Sequence, residues 1–257
     1  MKITTKLCGF LVALATSITF SATAYAAPIK TLFLGADNNL DGVLTDIIGS
    51  DARFDVANSA AFAAQGGTPT LSELQQYDSV LYWTNYYPAS SIALGDALAD
   101  YVDGGGHVVR ATFVGQEVPN SGRIAMTGYA PFTTGRFDAY SAACLGSFDA
   151  NSPILAGVTN ICATVYRGDW SAGLDVGATL LASWSDGRPF VGINAAHTII
   201  DISLFPNSAQ YGHASGDYRT LFANALANCT PVSVPEPGSI ALIGLGLIGV
   251  VRSRRRK

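Results

Sequence analysis

Charge and cysteine are scarce in this sequence. Charged residues account for 13% of the 257 residues, well below the ~25% usual in soluble domains, and four cysteines are present. The 27 glycines and 11 prolines follow no period. These features exclude a disordered chain, a coiled coil and a collagen-like fibre. Hydrophobic residues reach 49%, which predicts a chain with a substantial core.

The few basic residues are concentrated at the two ends of the chain. Of the 15 Lys and Arg, two precede residue 7 and five follow residue 251, which leaves eight between them against 18 acidic residues before residue 234. The middle of the chain therefore carries a net charge of −10. Such a field repels phosphate backbones, so it argues against nucleic acid as a partner and suits an exported domain that meets cations.

The N-terminus has the three parts of a secretory signal peptide. Lys2 and Lys6 make the first six residues positively charged, and residues 7–20 are apolar. Residues 24–26 (Ala-Tyr-Ala) fit the small-x-small cleavage pattern. We expect signal peptidase to remove residues 1–26 by cleavage after Ala26. A membrane anchor is the alternative, and the apolar run is short for it.

The C-terminus combines a Pro-Glu-Pro motif, a short apolar segment and a basic end. Pro235, Glu236 and Pro237 precede an apolar run over residues 239–251, and five Lys and Arg residues follow it. A helix of 13 residues covers ~20 Å of a ~30 Å hydrocarbon core. We therefore expect residues 232–257 to hold the chain only transiently in the inner membrane, with the basic end in the cytoplasm.

This C-terminal segment closely resembles the PEP-CTERM sorting signal of Gram-negative bacteria. The motif, the apolar run and the basic tail occur in the order typical of that signal. The resemblance implies an exosortase as partner and removal of the tail near residues 235–237. It also implies delivery to the cell surface or to the extracellular polymer matrix of a biofilm. A plain tail anchor is the alternative.

Three cysteines remain once the signal peptide is removed: Cys144, Cys162 and Cys229. Export permits a disulfide, and Cys144 with Cys162 closes the shortest loop. No CxxC pair accompanies them, which argues against a zinc site. We predict a Cys144–Cys162 disulfide and an inert Cys229.

Residues 27–231 are predicted to form one α/β domain, because strands and helices alternate over its first half. The second half is less periodic, and residues 112–159 give no clear element. The strands are predicted at 30–35, 53–57, 79–84, 107–111 and 198–205, with a hairpin around residues 186 and 187; the main helices are predicted at 39–48, 92–102 (capped by Ser90 and Ser91) and 218–227 (capped by Asp217).

Residues 74–81 (LQQYDSVL) and 98–109 (LADYVDGGGHVV) give a strand, a helix, a glycine turn and a further strand, and shorter matches follow at 187–190, 202–206 and 224–226. With these residues the middle domain resembles the class I glutamine amidotransferase-like superfamily, which includes DJ-1/PfpI and ThuA-like proteins. The resemblance implies a single flavodoxin-like, three-layer domain with a mostly parallel sheet.

The positions that carry the chemistry of that superfamily are changed in this chain. Its enzymes place a nucleophilic Cys on the turn after the strand at 107–111, where this chain has Thr112. They place a His-x-Glu-type base after a late strand, where this chain has Pro206 and Asn207. A nucleophile needs a base within hydrogen-bonding reach. We therefore predict a non-catalytic domain; the alternative is a hydrolase-type enzyme with a rebuilt site at the carboxyl ends of the strands and Thr112 as nucleophile.

His213 is the histidine best placed for chemistry, since it lies in a loop at the edge where such folds bind ligands. Together with Asp217 and Glu117 it could form an acid/base or metal group. Because no spacing signature accompanies these residues, an ordinary loop histidine is favoured over such a group.

Residues 37–42 (DNNLDG) match the first half of a calcium-binding loop, with Asp37, Asn39 and Asp41 as the candidate ligands. The position that should supply a bidentate Glu is Ile48. A polar turn between a strand and a helix is therefore favoured over a calcium site. No other cofactor is indicated.

Aromatic residues cluster at the end of the third strand: Tyr82, Trp83, Tyr86 and Tyr87. Rings beside Asn85 could stack on the sugars of a surface polysaccharide, but core packing with an ordinary loop is favoured. Polysaccharide or other matrix components are the candidate partners of the exported domain.

Overall fold

The computed structural model describes residues 27–114, 121–133, 136–139, 141–169 and 173–228. The predicted processing residues (Ala26, Pro235, Glu236 and Pro237) lie outside these ranges, as do Glu117 and Cys229. Pro28–Ser233 forms one compact unit. No helix among the described residues has the length and apolarity needed to cross a membrane. The predicted C-terminal membrane helix lies outside them.

Two kinds of element build the described part of the chain. The helices are α1 (Leu40–Ile48), α2 (Leu71–Leu74), α3 (Ser91–Asp103), α4 (Ser208–Tyr211) and α5 (Tyr218–Asn228). The strands are β1 (Thr31–Ala36), β2 (Ala60–Ala63), β3 (Ser79–Thr84), β4 (Val108–Ala111), β5 (Arg136–Ala139), β6 (Ala143–Phe148), β7 (Ile161–Ala163), β8 (Arg167–Asp169), β9 (Thr179–Trp184), β10 (Pro189–Ile193), β11 (Ile199–Ile202) and β12 (Ala214–Gly216).

Ten of the described strands form one mixed sheet in the order β12-β7-β6-β9-β10-β11-β4-β3-β1-β2, and β5 pairs with β8 separately. The five strands β11, β4, β3, β1 and β2 run parallel. The remaining pairs are antiparallel. The predicted mostly parallel sheet is therefore correct for one half of the sheet only. The antiparallel half is built by short connections such as the predicted β9–β10 hairpin.

Helices cover both faces of the parallel half and give three layers. Phe33 of β1 and Leu81 of β3 join the core formed with α1 and α5. Leu32 and Val80, their neighbours along the same strands, join the second core, formed with α2 and α3. Because side chains alternate between faces, a strand that is buried on both sides must be largely hydrophobic, as residues 80–83 (VLYW) of β3 are.

One local prediction is wrong. The second strand is not at residues 53–57. Residues Val56–Asn58 form a single 3-10 turn that begins at Asp55, and β2 follows at Ala60–Ala63. The alanine-rich β2 lacks the β-branched residues that mark a strand.

Asp217 stands directly before α5, as predicted. Its backbone carbonyl accepts from the N–H of Leu221. Its carboxylate accepts from the backbone amides of Thr159 and Asn160.

Candidate functional site

The candidate site lies at the carboxyl ends of the parallel strands, and we call it the carboxyl-edge site. Asp37 follows β1, Asn85 follows β3, Thr112 follows β4 and Asn207 lies beyond β11. The neighbours of β1 in the sheet are β2 on one side and β3 on the other, so the strand order reverses between β1 and β3. Open α/β sheets bind their ligands at such a switch point.

A buried carboxylate organises this site. Asp37 is 3% exposed and accepts three hydrogen bonds. The Nε1 of Trp83 donates to Oδ2 at 3.0 Å, the Nδ2 of Asn85 to Oδ1 at 2.9 Å, and the Nδ2 of Asn207 to Oδ2 at 3.1 Å. A carboxylate can only accept, so both amides must turn their NH2 groups towards Asp37. The network therefore fixes the orientation of Asn85 and Asn207.

The same geometry bears on the calcium hypothesis. Both oxygens of Asp37 already face N–H donors, which a cation would have to displace. Asn39 adopts a left-handed conformation (φ 59°), and its Nδ2 lies 3.4 Å from the Oδ1 of Asn207. Asp41 lies in the first turn of α1. The described residues contain no group of three or more His, Cys, Asp or Glu placed to hold a metal. The carboxylate of Asp37 is thus used inside the turn between β1 and α1.

The aromatic residues near β3 divide into two groups. Tyr82 and Trp83 are fully buried, whereas Tyr86 is 45% and Tyr87 70% exposed. Tyr211, at the end of α4, is 39% exposed and packs against Phe205, with ring centroids 5.9 Å apart. Burial raises the pKa of Tyr211, and the negative charge of Asp37 adds to the rise. The carboxyl-edge site is therefore rimmed by accessible tyrosine rings beside a buried negative charge.

His213 lies in the core below this rim. It is 2% exposed, and its ring packs edge-on against Tyr166 with centroids 5.4 Å apart. Its Nε2 lies 2.7 Å from the carbonyl oxygen of Phe205 and therefore carries the proton, whereas its Nδ1 has no partner among the described residues. Asp217 bonds to Thr159 and Asn160 instead of His213. The predicted group of His213, Asp217 and Glu117 is thus not assembled within the described residues.

Thr112 is also buried, and no described group is placed to accept the proton of its hydroxyl. Its side chain is 0% exposed, and its Oγ1 has no hydrogen-bond partner in the described part of the chain. A hydroxyl becomes a nucleophile only when a base accepts its proton. Nothing in this geometry activates Thr112.

The buried histidines predict a loss of stability in mild acid. Burial lowers the pKa of His107 and of His213 below their ordinary value of 6.5. Below about pH 6.5 these two histidines are therefore protonated in the unfolded chain but still neutral in the folded protein. The free energy of unfolding should fall as the pH drops through this range. Urea unfolding across this range measures the slope. The carboxylates with lowered pKa, such as Asp217, contribute only below about pH 4.

The double variant His107→Gln, His213→Gln should flatten this slope. His197 is exposed and provides the matched control, since His197→Gln should leave the slope in place. A free energy of unfolding that stays constant down to about pH 5 would contradict the assignment of two buried neutral histidines.

A concavity of about 380 Å³ lies between α1 and α5, away from the carboxyl-edge site. Its two guanidinium groups are already engaged, Arg53 by Asp51 and Arg219 by Asp46. Both guanidinium charges are thus neutralised. This concavity also lies away from the switch point between β1 and β3, where open α/β sheets bind their ligands.

Comparison with known structures identifies the class of fold. A protein of Bacteroides uniformis ATCC 8492 described as ThuA-like superposes with a TM-score of 0.58 at 15% identity, over 80% of this chain and 94% of that one. A protein of Thermoplasma acidophilum described as a subunit of GMP synthase gives a TM-score of 0.51 at 12% identity, over 79% of this chain and 96% of that one. The domain thus has the predicted ThuA-like and amidotransferase-like α/β fold. Sequence identities this low establish the fold and not a shared function.

The C-terminal segment is identified independently of the fold. Residues 233–256 match the PEP-CTERM protein-sorting motif. This motif implies exosortase-dependent export across the inner membrane of a Gram-negative bacterium, with a transient membrane anchor. No curated protein matches the chain in sequence.

Sequence reasoning misses part of the site. It treats Asn207 only as the position that lacks a base, and it does not single out Tyr211. Asn207 reaches Asp37 across 170 residues of sequence. The one available signal is the position of Asn207 shortly after a late strand, where parallel strands place their ligand-binding residues.

Proposed function

We propose that Pro28–Ser233 is a non-catalytic carbohydrate-binding domain. After signal peptidase cleaves at Ala26 and exosortase removes the tail near residues 235–237, the domain attaches to polysaccharide at the cell surface or in the extracellular matrix. The observation that carries this proposal is the set of exposed tyrosine rings around the amide network fixed by Asp37.

The chemistry of this rim suits a sugar. Apolar C–H faces of a pyranose pack on aromatic rings, and Tyr86, Tyr87 and Tyr211 are exposed for such contact. The Oδ1 of Asn85, turned away from Asp37, can accept from a sugar hydroxyl. The Oε1 of Gln210 accepts from Asn207, so its Nε2 is left to donate. Amides held in place before binding lose little conformational entropy when the ligand arrives.

The alternative of a hydrolase finds less support. Thr112 lacks a base, and the Nε2 of His213 is committed to a backbone carbonyl. Turnover of an ester, peptide or glutamine substrate that disappears in Thr112→Ala, at unchanged stability, would promote the hydrolase over the binding domain.

Replacing Tyr211 with Ala should weaken binding of a hexose oligomer to Pro28–Ser233 by about fivefold or more, because truncating a central aromatic contact costs more than ~1 kcal/mol. Isothermal titration calorimetry against a panel of oligosaccharides measures the change. Val176→Ala is the matched control, since Val176 is 82% exposed and lies in the loop before β9. Equal affinity of the two variants for every oligomer bound by the wild type would place the binding site elsewhere.

A further inference from the structure

The described surface offers almost no free positive charge. Six arginines have described side chains, and every one is ion-paired: Arg53, Arg110, Arg123, Arg167, Arg188 and Arg219. The unit Pro28–Ser233 contains eight basic and 18 acidic residues, a net charge of −10. An anionic polymer would therefore meet repulsion without any unpaired arginine, among those described, to bind it.

The one lysine of the described residues lies away from the carboxyl-edge site. Lys30 precedes β1, so it is at the amino end of a parallel strand. Negative charge lies at the opposite end. Asp37 follows β1, and Asp41 lies in the first turn of α1, two residues from Asn39.

The groups that face a ligand here match a cation. Tyr86, Tyr87 and Tyr211 are each at least one-third exposed, and aromatic rings attract ammonium groups. Because Asn85 donates its Nδ2 to Asp37, its Oδ1 is turned away from that carboxylate and can accept a hydrogen bond. An ammonium group can only donate hydrogen bonds, so it complements that oxygen.

We propose that the ligand of the carboxyl-edge site is a polymer of amino sugars whose free amines are protonated. This inference rests on the proposed carbohydrate-binding function and names the class of sugar. The pyranose rings pack on the tyrosines, and the ammonium groups meet the Asn85 oxygen in the field of Asp37 and Asp41. A uronic-acid polymer is disfavoured, because its carboxylates would be repelled by a unit with a net charge of −10.

Three hexamers of matched length test the inference on Pro28–Ser233: β-1,4-linked glucosamine, its N-acetylated form, and a uronic acid oligomer. At low salt and at a pH that protonates the amines, the glucosamine hexamer should bind about tenfold tighter than the acetylated one. This preference should shrink as salt is added, because exposed charges are screened. The uronic acid hexamer should bind least.

A pair of charge variants tests whether the preference for free amines arises at the carboxyl-edge site. Asp41→Asn and Asp149→Asn each remove one negative charge from an exposed residue, but Asp149 follows β6 in the antiparallel half of the sheet. Asp41→Asn should reduce the preference for amines about twofold, and Asp149→Asn should leave it nearly unchanged.

The outcomes separate the two proposals. Equal or tighter binding of the acetylated or uronic acid hexamer, sensitive to Tyr211→Ala, overturns the amine inference and leaves the carbohydrate-binding function standing. Binding of the glucosamine hexamer that is unchanged by Tyr211→Ala overturns the assignment of the amine to this site. Failure of all oligosaccharides to bind overturns both proposals.

Discussion

Replacing Asp201 with Ala should lower the free energy of unfolding by about 3–5 kcal/mol, the largest effect expected of any single substitution considered for this domain. Asp201 and Arg110 face each other on β11 and β4 and are 0% and 3% exposed. The carboxylate accepts from Nε at 2.7 Å and from Nη2 at 2.6 Å. It also accepts from the backbone N–H of Phe132 at 3.3 Å. The substitution would leave a guanidinium charge buried without its partner. Urea unfolding measures the loss.

Two further variants separate the buried charge from a general packing defect. The double substitution Arg110→Met, Asp201→Leu removes both charges and should be clearly more stable than Asp201→Ala alone. Asp51→Ala removes the partner of Arg53 in an exposed pair and should cost at most about 1 kcal/mol. If Asp51→Ala proved as costly as Asp201→Ala, burial could not be the cause.

Loss of the disulfide should have the second largest effect. Cys144 and Cys162 are bonded and lie directly opposite each other on β6 and β7, with a sequence separation of 18. The loop-closure entropy of a ring of this size corresponds to about 3 kcal/mol, so Cys144→Ser, Cys162→Ser should be destabilised by about that amount. Urea unfolding under non-reducing conditions compares the variant with the wild type.

Reduction provides the control for this prediction. Dithiothreitol should destabilise the wild type to nearly the level of the double Ser variant and should leave that variant unaffected. A wild type that keeps its full free energy of unfolding after verified reduction would show that the bond contributes nothing to stability.

The parallel half of the fold could be predicted from the sequence because its elements carry local signals. Residues 80–83 (VLYW) of β3 form a continuous hydrophobic run, as expected for a strand that is covered on both faces. The side chain of Ser90 accepts from the N–H of Ala93 and begins α3 as predicted. The antiparallel half is harder to predict. Its strands β7 and β12 have three residues each, too few to show a period, and their pairing depends on distant partners.

The candidate site could be predicted only in part, for a similar reason. Asp37 and Tyr86 stand next to apolar strands, so their positions at the carboxyl edge follow from the sequence. That Asp37 is buried and fixes two amides does not, because Asn207 reaches it from a different part of the chain. The sequence presents Asp37 as a possible calcium ligand, whereas the structure surrounds both of its oxygens with N–H donors.

The most direct test of the whole account follows the protein in an exosortase-containing Gram-negative host. Mass spectrometry of the matrix and medium fractions gives both the processing and the location of wild type and Tyr211→Ala. We expect wild type in the matrix fraction without residues 1–26 and without most of the sequence after Pro237. Tyr211→Ala should be processed identically and appear largely in the medium. Wild type that keeps its basic tail would contradict the sorting, and a Tyr211→Ala protein retained in the matrix like wild type would contradict carbohydrate binding at the carboxyl-edge site.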